Sequence, residues 1–171
     1  MSPLILLDVD GPLNPWAAPP GGPDGYVEHR YPLSRWPWTK RVLRVRLDPA
    51  HGPALLRLAD AAGARLVWAT TWAERANTVI GPAIGLPPLP VIRLTDSPAW
   101  KFPDVQRYAG DRPLVWFDDD FGLHPGPRDA FLARPHPTAL IPVDPRTGLT
   151  AGDIERAQEW LVGLRGDGPG P

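Results

Sequence analysis

Two aspartates one residue apart, Asp8 and Asp10, end an apolar run and precede Gly11. A carboxylate beside a bound metal can attack phosphorus. A second one, two residues on and at a tight glycine turn, could point elsewhere and serve as general acid and base. Three more aspartates stand together at Asp118, Asp119 and Asp120. Adjacent carboxylates repel one another unless a cation neutralises some of them. An oxygen-only donor set calls for a hard ion, and Mg²⁺ suits it best. The Thr70 and Thr71 hydroxyls and the Lys101 ammonium are the groups that phosphoryl oxygens need, with the Gly11 turn as a further phosphate contact. Of 18 basic residues only Lys40 and Lys101 are lysine. A lysine placed where a helix should start opposes the helix dipole, so Lys101 reads as functional.

Each of these residues also has a structural reading. Asp8 and Asp10 could close a turn, Thr70 could end a strand, Lys101 could be solvated, and residues 118 to 120 could form an acidic loop. Their joint order along the chain favours chemistry. The four histidines show no ligand spacing, and the absence of cysteine removes thiolate zinc sites, disulfides and cysteine nucleophiles.

The elements that must position these groups alternate between strand-like and helical patterns, which predicts an α/β fold with a parallel sheet between helices. Strands are expected at Leu4–Val9, Arg65–Thr70, Leu89–Leu94, Leu114–Phe117 and Ala139–Val143. Helices are expected at 53–62 (stopped by Gly63), 72–84, 101–109 and from a Thr150/Asp153 capping box to about Leu164. The reading is a three-layer, Rossmann-like, five-stranded sheet forming one domain over 1–165, with 166–171 as a frayed tail. Residues 14–50, rich in proline, glycine and tryptophan, break the alternation. They are expected to form a loop and β-hairpin flap, with strands near Tyr26–Tyr31 and Arg41–Leu47. In an open parallel sheet ligands bind beyond the carboxyl ends of the strands, where Asp8, Asp10, Thr70, Thr71 and Asp118–Asp120 should meet.

Asp-Val-Asp-Gly at 8–11, the strand ending at Thr70, Lys101, and the Asp118–Asp119 pair together resemble the four ordered motifs of the haloacid dehalogenase-like (HAD) superfamily. The likeness runs from about residue 4 to 120, and the fifth strand and last helix fit the same core. It implies that Asp8 forms an aspartyl-phosphate and that Asp10 protonates the leaving group, then activates water. It implies that Thr70 and Lys101 hold the phosphoryl group. It also implies that Asp8, the Asp10 backbone carbonyl and Asp118, with Asp119, bind Mg²⁺. Dehalogenases of the superfamily lack the second aspartate, so Asp10 points to phosphate chemistry. Pro12 departs from the usual Thr or Val, and Thr71 or Asp120 could take the roles given to Thr70 or Asp118. The opening segment and Trp-Ala-Thr-Thr-Trp at 68–72 are similar to the small HAD domains grouped with bacterial "Swiss army knife" RNA-repair proteins.

About 60 residues separate Asp10 from Thr70, too few for a large cap. The site is therefore expected to be open, or closed by the flap or by a second copy in a homo-oligomer. Arg44 and Trp38, in a basic and aromatic flap, are candidate substrate contacts, since phosphate pairing and base stacking suit a nucleotide or nucleic-acid end. A hairpin with solvated arginines is the simpler reading of the same residues. The expected activity is Mg²⁺-dependent hydrolysis of a phosphomonoester, on a small molecule or a nucleic-acid end. A phosphoryl-binding module without turnover is the alternative of another class. The net charge of -1 gives no overall pull to nucleic acid or membrane, and no apolar run reaches the roughly 20 residues that span a bilayer. The short apolar run at the N-terminus predicts a strand and not a signal segment, so a cytoplasmic location is expected.

Overall fold

The computed structural model describes residues 1–32 and 42–166. Four parallel strands form the central sheet in the order β4-β1-β5-β6: β1 (Leu4–Leu7), β4 (Arg65–Trp68), β5 (Leu114–Asp118) and β6 (Thr138–Pro142). Between β1 and β4 come an antiparallel hairpin, β2 (Val27–Pro32) and β3 (Val42–Leu47), and helix α1 (His51–Ala62). The other helices are α2 (Gly81–Ile84), α3 (Phe102–Ala109), α4 (Pro125–Leu132) and α5 (Ala151–Gly166). The tail beyond 166 and the flap positions 33–41, Trp38 and Lys40 among them, lie outside the described residues.

Side chains alternate across a strand, so a strand buried on both faces must be apolar throughout. Ile5 and Leu7 of β1 join Val115 and Phe117 of β5 in one core cluster, while Leu4 and Leu6 join Leu114 and Trp116 in the other. Helices α1 and α5 supply Leu55, Leu58, Ala157 and Leu161 to the first cluster, and α3 and α4 supply Val105 and Phe131 to the second. Gly63 ends α1 in the left-handed conformation (φ 57°), its N–H reaching the Ala59 and Asp60 carbonyls, as the C-cap reading requires. The expected capping box is also present: Thr150 N–H donates to Asp153 Oδ2 (2.8 Å) and Asp153 N–H to Thr150 Oγ1 (3.3 Å).

The sheet has four strands and not the expected five. Residues 89–94 lie beside β4 but pair with it only through one bridge, Trp68 to Val91. Pro87, Pro88 and Pro90 have no N–H to offer a ladder. The N–H and carbonyl of Leu89 are both taken by the Asn77 side chain, at 2.8 Å each. The helix expected over 72–84 is likewise interrupted. Ala73 turns to φ 48°, a π-helical stretch spans Ala76–Ile80, and only α2 is regular. Helix α4 is not among the expected helices; its prolines stand in the first turn, where proline is tolerated.

The hairpin is not a free-standing flap. Its Val45 and Leu47 are buried in the main core, and Tyr31 and Leu43 pack against it. Arg44 lies on the opposite, solvent-facing side of β3.

Asp104, buried in the first turn of α3, ties that helix to the preceding loop. It accepts hydrogen bonds from Thr95 N (2.6 Å), Thr95 Oγ1 (2.8 Å) and Arg107 (2.7 Å). The backbone and hydroxyl bonds of Thr95, with Arg107, hold its carboxyl below the usual carboxylate range against the opposing effect of desolvation. A lowered carboxylate pKa stabilises the fold above its unfolded value, about 3.9, and that stability is lost as pH falls through the folded value. Asp104→Asn should therefore lower stability by about 1–3 kcal/mol at pH 7. In urea unfolding the gap from wild type should narrow steadily below about pH 4; a gap that stays constant to pH 2.5 would contradict this.

Candidate active site

Register brings the site together. Leu7 of β1 lies level with Trp68 of β4 and with Phe117 of β5, so the next residues, Asp8, Ala69 and Asp118, emerge side by side at the carboxyl edge. Asp8 N–H donates to the Phe117 carbonyl (3.1 Å) and Ala69 N–H to that of Leu7 (2.8 Å), which extends the ladder to this edge. Thr70 follows at once, and Lys101 arrives from the start of α3.

Lys101 Nζ lies 2.7 Å from Asp8 Oδ2 and 2.7 Å from Asp118 Oδ2. All three groups are buried; Asp118 is fully so. Burial alone would pull the lysine pKa down, but Asp8 and Asp118 outweigh it and hold the amine above its usual value. Burial, reinforced by the neighbouring Asp8 charge, pushes the Asp118 carboxyl well above the usual carboxylate range despite Lys101. The remaining Asp8 oxygen, Oδ1, accepts from Val9 N–H (2.8 Å), and Asp118 Oδ1 accepts from Asp120 N–H (3.1 Å).

The backbone ahead of Lys101 is strained. Trp100 sits at φ 58°, a conformation rare for a bulky residue. Its ring stacks between Trp116 (5.4 Å) and His124 (5.1 Å), and Lys101 Nζ lies 4.7 Å from its centroid. This aromatic stack holds the strained turn and so places the ammonium.

Asp119 joins from the residue after β5. Asp8, Asp118 and Asp119 each present an oxygen within 4.8 Å of the others. Desolvation raises the Asp119 carboxyl, opposed by a hydrogen bond from the Trp16 indole (3.0 Å). A single ammonium leaves three clustered carboxylates with excess negative charge, and a hard dication with oxygen ligands is the chemical complement. The donor set therefore fits Mg²⁺. Gly11 makes room for the cluster: it adopts φ 88°, and a Cβ there would lie 2.3 Å from the Asp119 carboxyl carbon.

Asp10 stands apart from these carboxylates. Its Oδ1 accepts from Asn14 Nδ2 (2.8 Å) and its Oδ2 from Trp72 Nε1 (2.8 Å). Thr70 is buried, and its Oγ1 accepts from Trp72 N–H (3.3 Å), which leaves its own O–H to donate to a ligand oxygen. Thr71 is exposed and lines a shallow depression with Asp10, Leu43, Trp72 and Arg75. Arg44 lies farther out, in a groove of about 270 Å³ lined also by Asn14, Pro15, Trp16, Glu28 and Arg46. Asp120 begins a short 3₁₀ turn and is not one of the three clustered carboxylates.

Asn14, Trp16 and Trp72 are site residues that sequence reasoning did not single out. Each acts through a neutral N–H on a carboxylate, a role with no spacing signature. Asn14 and Trp72 do fall within the two segments, at 6–15 and 68–72, that carry the family likeness.

In comparison with known families, residues 4–154 match the model for the HAD domain in Swiss Army Knife RNA repair proteins. No curated protein and no solved structure matches.

Removing the bridging cation should expose what it balances. Lys101→Met leaves Asp118 buried without a counter-charge and should cost about 3–5 kcal/mol in metal-free urea unfolding. Added Mg²⁺ should recover part of that loss. Unchanged stability in metal-free buffer would contradict the bridging role.

Proposed function

The chain belongs to the family of HAD domains in Swiss Army Knife RNA repair proteins, and from that premise we propose that it is a Mg²⁺-dependent phosphatase working through an aspartyl-phosphate. The observation that carries this reading is the buried Asp8–Lys101–Asp118 bridge beside Asp119, with a second, separately held carboxylate at Asp10. Asp8, Asp118 and Asp119, with the Asp10 backbone carbonyl, would hold Mg²⁺. When bound, the ion supplies the positive charge that lets a phosphate dianion approach these carboxylates.

The protein's own groups then divide the work. Lys101 and the Thr70 hydroxyl bind the phosphoryl oxygens and stabilise the charge that gathers on them. The Gly11 turn and Thr71 lie close enough in the chain to complete that cradle. An Asp8 carboxylate oxygen attacks phosphorus, and the ester P–O bond breaks with its electron pair moving to the leaving oxygen. Asp10 delivers a proton to that oxygen. The Asp10 carboxylate then takes a proton from water, whose oxygen attacks phosphorus and releases Asp8 and inorganic phosphate.

A polynucleotide end as substrate is favoured by one specific observation. The groove beside Asp119 exposes Trp16 (63%) next to Arg44 and Arg46, offering a stacking surface and cations to a nucleotide. The family's description with RNA repair points the same way.

Wild-type protein should hydrolyse 4-nitrophenyl phosphate with Mg²⁺ and stop when the metal is chelated, and folded Asp8→Asn should lose at least about a thousandfold in kcat. Mg²⁺ binding without turnover on any phosphoester would replace this reading with that of a phosphoryl-binding module. For the polynucleotide reading, Arg44→Ala should cost about tenfold more in kcat/KM on a 5′- or 3′-phosphorylated oligonucleotide than on the aryl ester. Equal effects on both would remove it.

A further inference from the structure

On the phosphatase reading Asp10 hands a proton to the leaving oxygen, so its carboxyl has to be held in one orientation toward that atom. Among the described residues Asp10 makes no ion pair. The Arg75 guanidinium, which lines the same depression, lies over the Trp72 ring, 5.3 Å from its centroid. Asp10 instead receives two neutral N–H donors, one on each oxygen. Together they fix the carboxyl plane while each oxygen keeps a lone-pair direction where a proton can sit.

Both donors are themselves held. The Asn14 side-chain carbonyl accepts from Arg46 N–H (2.9 Å), which obliges its amide N–H to face Asp10. Its backbone is pinned as well, through Asn14 N–H to the Val9 carbonyl (2.8 Å) and Gly11 N–H to the Asn14 carbonyl (2.9 Å). Trp72 is delivered by the turn in which Ala73 N–H meets the Thr70 carbonyl (3.2 Å) with Ala73 at φ 48°. A non-glycine residue in the left-handed region costs of order 1–3 kcal/mol, and such strain persists only where the surroundings impose it. Here the strained turn returns the indole to the acid. The depression lined by Asp10, Leu43, Thr71, Trp72 and Arg75 leaves the Asp10 side open for a leaving group.

We infer that Trp72 and Asn14 are positioning residues for proton transfer by Asp10, with Asn14 coupling that carboxyl to strand β3 of the hairpin. The assignment rests on the phosphatase reading above, and it concerns one step only. Protonation of the leaving oxygen matters greatly when that group is a poor one and little when it is a good one. A residue that merely packs the site would slow both alike.

The test is kcat/KM on a primary alkyl phosphate and on 4-nitrophenyl phosphate, with saturating Mg²⁺, for wild type, Trp72→Phe and Asn14→Ala. Because kcat/KM reports events through phosphoryl transfer to Asp8, later hydrolysis does not blur it. Trp72→Phe retains the ring and removes the N–H, and Asn14→Ala removes the other donor independently if the first variant folds poorly. Each variant should lose about tenfold more on the alkyl ester than on the aryl ester, steepening the dependence on the leaving group. Equal losses on both esters, or none, would overturn the positioning role while leaving the Asp8 chemistry standing. A wild type inactive on both esters would instead overturn the phosphatase reading, and the positioning role with it.

Discussion

The site depends on one interaction, the buried ammonium of Lys101 between Asp8 and Asp118. Two carboxylates this close, one of them fully buried, cannot both remain charged without a cation between them. The surrounding structure is arranged to hold that cation still. Parallel register aligns the ends of β1 and β5, the Trp100 stack fixes the backbone that delivers the lysine, and Asp104 anchors the helix behind it. A buried ion pair is seldom an efficient way to stabilise a fold, since desolvation offsets much of the attraction. Its presence is better accounted for by chemistry, because the same groups that repel one another are those that would receive a metal and a phosphoryl group.

Separation of the two motif aspartates is the second organising fact. Asp8 looks inward to charge, and Asp10 looks outward to neutral donors. Gly11, directly after Asp10, takes a positive φ and yields the space that Asp119 fills. The hairpin contributes at this point. Its inner side chains are part of the main core, so its position is set by folding, and Asn14 relays that position to Asp10. Its outer side presents Arg44 and Arg46 beside the exposed Trp16, placing cationic and aromatic surface within reach of the carboxylates.

Much of this was legible from residue types. Strand ends announced themselves because buried parallel strands are apolar to the last residue, so Asp8, Thr70 and Asp118 stood out where the pattern broke. Lys101 stood out because the chain otherwise prefers arginine. Residues 89–94 resemble a strand in their apolar content, whereas pairing is decided by the N–H groups that prolines lack and by Asn77 from the preceding π-helical stretch. Helix α4 was hidden behind prolines that serve at its start. Asn14, Trp16 and Trp72 were out of reach for a different reason: which indole or amide meets which carboxylate depends on tertiary placement and, for Trp72, on a strained turn at Ala73 that its alanine does not advertise.

The central claim is that Asp8 becomes covalently phosphorylated. Its most direct test is acid quenching during turnover of an aryl phosphate, followed by mass mapping of the peptides. A phosphoryl adduct on Asp8, absent from Asp8→Asn and formed as fast as the leaving group is released, is the predicted result. Turnover with no adduct on Asp8, together with inversion of configuration at a chiral phosphorus, would mean direct attack by water and would contradict the account.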